Sequence, residues 1–168
     1  CVPLGIHGKF GSWQNVKRIA EGKKVILHDD GTGMWATLRS EDFANQLYGI
    51  LGNTNALGSV FQIASEESLD WKTIYSIVAD AIGMQLHACF IPSEILVKEG
   101  GEFDLHAKLY GDKARSLIFK NDKIKKIIGE YNNTFSMEKG IRDSVTNVMR
   151  NNKYQREDNS FDEWCDRM

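Results

Sequence analysis

The sequence predicts a mixed α/β fold of several helices and short strands. Two observations carry that expectation. Windows with apolar residues at helical spacing alternate with short continuous apolar runs. Glycine or an Asp-Gly pair stands at most of the junctions, where a chain leaves a helix or turns back.

Each element follows from its own residues. Ser12 is placed to cap a helix bearing Trp13, Val16, Ile19 and Ala20, which stops at Gly22. Val25–His28 reads as a strand. Asp29, Asp30, Gly31, Thr32 and Gly33 read as a tight hairpin turn, with residues 34–38 returning as a second strand. Ser40, Glu41 and Asp42 open a helix whose apolar face is Phe43, Leu47, Tyr48 and Leu51, closed at Gly52. Residues 59–64 are strand-like. Asp70 caps the clearest helix, with Trp71, Ile74, Tyr75, Val78 and Ile82 on one stripe and Gly83 beyond it. Residues 86–91 form a strand. Residues 99–113 carry a poor signal and read as loop, and residues 116–119 as a short strand. Asn121 opens a basic helix with Ile124, Ile127 and Ile128. Residues 136–150 form a helix with Ile141, Val145, Val148 and Met149, followed by polar linker and a last helical turn or two over residues 161–168.

Composition narrows the function classes. The 168 residues suffice for one domain with a real core. Lys and Arg number 21 against 23 Asp and Glu, so no electrostatic footprint for nucleic acid or an anionic membrane is expected. No apolar run approaches the ~20 residues that span a bilayer, and no signal peptide is visible. Cys1, Cys89 and Cys165 form no CxxC pair, which argues against a zinc knuckle or a disulfide framework and for a reducing, cytoplasmic setting. The chain starts at Cys1 rather than at methionine, and an amino-terminal part is expected to be missing.

Gly5, Gly8 and Gly11 form a GxxGxxG followed by a helix, a strand and then Asp29. That order suits a dinucleotide site, because glycines let a backbone approach a pyrophosphate at a helix amino terminus. Only Cys1, Val2, Pro3 and Leu4 precede it, too little for a buried strand, and Trp13 is bulky where the helix should pass the sheet. No Tyr-x-x-x-Lys follows; Tyr110 and Lys113 are one residue too close. A plain glycine-rich loop is the expected reading, with cofactor binding at Gly5, Gly8 and Gly11 as an alternative.

A different region carries a resemblance. Val25, Ile26, Leu27, His28, Asp29, Asp30, Gly31 and Thr32, with Asp42, Phe43 and Ala44 after them, resemble the GDGT…RDF..V.DvA segment of extended short-chain dehydrogenases. Gly58 to Ser65 is similar to their G..ynI.s strand. Asp70 and Trp71 opening a helix, Asn121 to Lys123 with Ile127, Ile128 and Gly129, and Met137 to Ile141 follow in the same order, so the match runs over about residues 12–166. The resemblance implies the carboxy-terminal, substrate-binding part of an NAD(P)-dependent epimerase or dehydratase, a single domain over residues 1–168. The amino-terminal Rossmann domain of the same parent would hold NAD or NADP and the Tyr/Lys acid–base pair. This chain would position a small-molecule substrate, bind no cofactor itself and be silent alone. The parent would perform a transient hydride transfer as an epimerase or dehydratase, or a net one as a reductase, and could be a homodimer.

Two departures bear on the substrate. Nucleotide-sugar members hold an arginine three residues after the GDGT threonine, where it grips pyrophosphate; here that residue is Trp35. Their second phosphate-binding arginine falls near Tyr110, with Arg115 close by. Trp35, Arg39, Tyr110 and Arg115 are therefore the substrate-binding candidates, and Trp35 would offer a stacking wall. No catalytic residue and no metal ligand is assigned. His28, Asp29 and Asp30 read as a polar turn, and His7, His87 and His106 have no ligand spacing. Ser65, Glu66 and Glu67 read as the loop before a helix, and Lys123, Lys125 and Lys126 as a solvated helix face. The competing class is a stand-alone module that binds a ligand or a protein.

Overall fold

The structure is a computed structural model that describes residues 13–131 and 133–168. The cap at Ser12, and Cys1, Gly5, His7, Gly8 and Gly11 with the proposed cofactor loop, lie outside the described residues. The elements run α1 (Trp13–Ala20), β1 (Val25–His28), β2 (Met34–Trp35), α2 (Ser40–Ile50), β3 (Leu69–Asp70), α3 (Trp71–Ala81), β4 (Ala88–Ile91), α4 (Ser93–Glu99), α5 (Leu105–Lys108), α6 (Asp122–Ile128), α7 (Met137–Arg150) and α8 (Asn159–Arg167). A π-turn at Leu109–Lys113 continues α5. The fold is mixed α/β and mostly helical, as expected.

Helix ends follow the residues that mark them. Gly22 and Gly83 both have positive φ, and the residue after each donates back five positions, Lys23 to the Arg18 carbonyl and Met84 to Ala79. These bonds satisfy carbonyls that a helix terminus leaves open. Asp70 accepts from the Thr73 amide at the head of α3, and Ser136 accepts from the Lys139 amide at the head of α7.

The expected hairpin of residues 25–38 is not formed. β1 pairs in parallel with β4, Val25 opposite Ala88 and His28 opposite Ile91. β2 pairs instead with β3, antiparallel, Met34 opposite Asp70. The physical reason is the burial of β1: all four residues are shielded, which suits a strand covered on both faces rather than half of an exposed hairpin. Val25 and Leu27 enter a core with Val16, Ile19, Ile74, Val78, Ile141 and Val145. Ile26 points the other way, into a core with Leu96, Phe103, Leu105, Leu109, Phe161 and Trp164.

Three further expectations change. Residues 59–64 and 116–119 form no strand, although the Leu117 amide donates to the Met34 carbonyl. Residues 99–113 are ordered by burial of Phe103, Leu105 and Leu109, with α4 just before them. These turns are too short to show a helical period, so only their packing reveals them. Finally, α2 is turned inside out: Asp42 and Gln46 are its buried residues, while Leu47, Tyr48 and Leu51 face outward.

The carboxy-terminal helix is clasped to α1 by Arg18, which is 1% exposed. Its guanidinium donates to the Lys24 carbonyl (2.8 Å), to Asp162 (2.6 Å) and to Asp166 (2.6 Å). Burial alone would raise the Asp162 carboxyl; bonds from Lys23, Arg18 and Gln14 outweigh it and bring it down to about 2. Removing one member of such a cluster strands the others. Arg18→Ala is expected to destabilise the chain by about 3 kcal/mol in urea unfolding. Asp166→Asn, at a half-exposed partner, should cost less than about 1 kcal/mol. Equal costs would show that the buried guanidinium is not the organising charge.

Candidate functional site

The sequence-predicted residues fall in two places. Trp35, Tyr110 and Arg115 belong to β2 and to the segment that packs on it. Trp35 is buried, its ring 5.3 Å from that of Trp71, with the Lys113 ammonium 5.1 Å from its centroid. Tyr110 and Lys113 ride on the π-turn, a departure from regular helix often found at functional sites. Tyr110 is partly exposed and meets His106 edge to face. Arg115 is exposed, and beyond it the Ser116 hydroxyl accepts from the Met34 amide (3.0 Å), which ties this segment to β2.

His28 sets this arrangement. Its Nε2 lies 2.8 Å from the Lys113 carbonyl, and the Trp71 indole donates to the same oxygen (3.3 Å). A carbonyl only accepts, so Nε2 carries the proton. Burial pushes the imidazole pKa below its ordinary value, so the ring is neutral at pH 7. The sequence reading of His28 as part of a polar turn missed this buried anchor; the apolar run ending in His28 was the signal available.

Arg39 stands apart, in a groove of about 240 Å³ between the starts of α2 and α7. It pairs with Glu41 (3.0 Å) and Asp143 (2.7 Å) and lies 4.4 Å from the Phe135 centroid. Hydrogen bonds from Arg39 hold the Glu41 carboxyl down at about 2. Asn133, Ser136, Ser144 and Asn147 complete a polar lining. A second hollow against Glu66, Glu67 and Tyr131 shares Asn133, Phe135 and Ser136 with it. Sequence reasoning had picked Arg39 but not Phe135, Asp143 or Asn133, which α7 and its approach bring in from far along the chain.

Asp29, just after the parallel strand β1, is held at positive φ, and its carboxylate accepts from the Ser93 amide (2.8 Å) and hydroxyl (2.6 Å) at the head of α4. Among the described residues there is no group of three or more His, Cys, Asp or Glu that could hold a metal ion. No described helix is long and apolar enough to cross a membrane.

No protein-family model matches the chain. Over 84 residues it is 31% identical to 2'-dehydrokanamycin reductase of Streptomyces kanamyceticus, covering 50% of this chain and 23% of that protein. Its fold is similar to dTDP-glucose 4,6-dehydratase from Bacillus anthracis, solved with NAD, at TM-score 0.62 and 17% identity, covering 83% of this chain and 39% of that one. UDP-glucose 4-epimerase from Thermotoga maritima, solved with UDP-glucose, gives TM-score 0.61 and 16% identity over 89% of this chain and 41% of that one. UDP-glucuronic acid 4-epimerase from Bacillus cereus, solved with NAD, gives 0.59 and 17% over 88% and 42%. The fold is thus similar to the carboxy-terminal part of these dehydratase and epimerase structures. The chain spans about two fifths of the length of these solved structures.

The neutral His28 predicts a pH dependence. Its folded pKa lies below the unfolded value of about 6.5, so the unfolded chain binds the proton more readily. The stability it contributes is present at neutral pH and is lost as pH falls below about 6.5. The urea midpoint should drop between pH 7 and pH 5, and His28→Gln, which can still donate to the Lys113 carbonyl, should flatten that slope. Identical slopes would place the titration elsewhere.

Proposed function

We propose that this chain is the substrate-binding part, over residues 1–168, of an NAD(P)-dependent epimerase, dehydratase or reductase acting on a sugar. A Rossmann domain of the same parent supplies the cofactor and the proton-transferring tyrosine. The observation that carries this reading is the fold: it matches the carboxy-terminal part of such enzymes over more than four fifths of this chain and less than half of theirs. The work of these residues is to bind and orient, holding the reacting carbon against the cofactor. Alone, the chain is catalytically silent.

The substrate class follows from the relatives and from the chain's own charges. The solved neighbours act on nucleotide sugars, and the partly matching relative is named for an aminoglycoside. A nucleotide sugar needs cations at its pyrophosphate. Here Lys113 and exposed Arg115 lie on the segment against β2, with Tyr110 beside them as a stacking surface. Arg39 and its groove are the second candidate contact.

Calorimetric titration of the chain with NAD, NADP, UDP-glucose, dTDP-glucose and kanamycin tests the reading. Neither dinucleotide should bind saturably, while a sugar ligand should bind and lose at least about 1.4 kcal/mol, a factor of ten, in Arg115→Ala. Saturable NAD binding abolished by Gly8→Val would overturn it and move the cofactor site to the amino-terminal glycines.

A further inference from the structure

The groove at Arg39 is more acidic than its guanidinium suggests. Arg39 is committed at both ends, to Glu41 (3.0 Å) and to Asp143 (2.7 Å), with Phe135 against its face. It braces two carboxylates instead of offering a free cation. In the described lining of this groove and the adjoining hollow, Arg39 stands alone against Glu41, Asp42, Glu66, Glu67 and Asp143. Lys139 pairs with Asp143 (3.1 Å) and Lys125 with Glu66 (2.7 Å), and the balance still stays negative.

The starts of α2 and α7 meet here, and helix amino termini attract anions. At this groove they are answered from within. The Met137 amide donates to Glu67, the Lys139 amide to Ser136 (3.2 Å) and the Thr134 amide to Asp42 (2.7 Å). Glu41 itself stands in the first turn of α2. An incoming anion would meet carboxylates already at these places. A buried acceptor points the same way. Gln46 is 3% exposed, and its Nε2 donates to Asn133 (3.1 Å), which lines both hollows. The Gln46 carboxamide is thus directed at their common wall. Its Oε1 is buried and accepts no hydrogen bond from the described residues. Acceptors are in surplus here, and what is lacking is donors.

A ligand with an ammonium group and several hydroxyls supplies both the charge and the donors. The groove, at about 240 Å³, is smaller than the ~300 Å³ at which drug-sized pockets begin, a size for one sugar-like ring. We propose that this groove binds a protonated amino sugar, its ammonium set against Glu41 and Asp143 and its hydroxyls on Asn133, Ser136 and Asn147. The site rests on these elements alone, and the function proposed above stands or falls by its own titration. Hydrogen bonds from Arg39 hold Glu41 down at about 2, and those from Lys139 and Arg39 lower Asp143. Both are charged at neutral pH, so affinity should be flat between pH 6 and pH 7 and fall only as the ligand amine loses its proton.

The test is titration of the 168-residue chain with glucosamine, glucose and glucose 6-phosphate, followed by amide chemical shifts. Glucosamine should bind saturably and move the amides of Asn133, Ser136, Ser144 and Asn147. Glucose should bind at least about tenfold more weakly, and glucose 6-phosphate should leave these amides unmoved. Glu41→Gln and Asp143→Asn, each at an exposed side chain, should remove the preference for glucosamine over glucose and leave the remaining amides where they are. Equal affinity for glucosamine and glucose would leave the carboxylates without a part and overturn the proposal. Tighter binding of glucose 6-phosphate would make this an anion site. Spermidine moving the same amides as strongly as glucosamine would reduce the groove to a counter-ion surface. No saturable shift with glucosamine would end the proposal outright.

Discussion

Strand β1 is the constraint on which the described structure depends. Four residues, Val25–His28, are buried and feed two separate cores by simple alternation. A strand shielded on both faces cannot also serve as half of a solvent-facing hairpin, so the chain after it must leave. It does so through Asp29 in the left-handed region, where the carboxylate is drawn to the Ser93 amide and hydroxyl at the head of α4. The unusual backbone at Asp29 thus aligns the exit from β1 with the exit from its neighbour β4. At the same end His28 holds the Lys113 carbonyl, so the strand that organises both cores also places the π-turn.

The two cores are kept in register by charge as well as by packing. Arg18 reaches from α1 to the Lys24 carbonyl beside β1 and to two aspartates of α8. The stem of α8 belongs to the core on the far side of β1, through Phe161 and Trp164. A guanidinium with so many directed donors fixes orientation where an apolar contact would fix only proximity. Cys165 sits in this packed region, and burial pushes its thiol up to about 12, which keeps it protonated and inert.

The parts legible in the sequence are those whose information is local. Asp70, Ser136, Gly22 and Gly83 mark helix ends by chemistry within a few residues, and α1, α3, α6 and α7 stand where spacing places them. Strand partnership is not local, which is why β1 was assigned to the wrong neighbour. Residues 99–113 read as loop because turns this short cannot show a period, although Phe103, Leu105 and Leu109 are all core residues. In α2 spacing finds the apolar face but not its direction: Leu47, Tyr48 and Leu51 are exposed, and inside this chain the polar side has the specific partners. For the site, Arg39 was picked by position, but much of the groove around it comes from Asn133, Phe135 and the face of α7 out to Asn147, which no spacing argument connects to α2.

Position 35 shows how one substitution can redistribute charge. The resemblance implies an arginine there, and the surroundings of Trp35 are unfavourable to one. The Trp35 side chain is enclosed by Trp71 and lies beneath the Lys113 ammonium. A guanidinium in that place would be desolvated and set beside a like charge, a combination that costs several kcal/mol in proteins. A neutral aromatic ring turns the same neighbour from repulsive into attractive. Positive charge near β2 is therefore carried by the π-turn, not by the strand. The choice of Trp35 and the irregular helix at Leu109–Lys113 are, on this view, two halves of one arrangement.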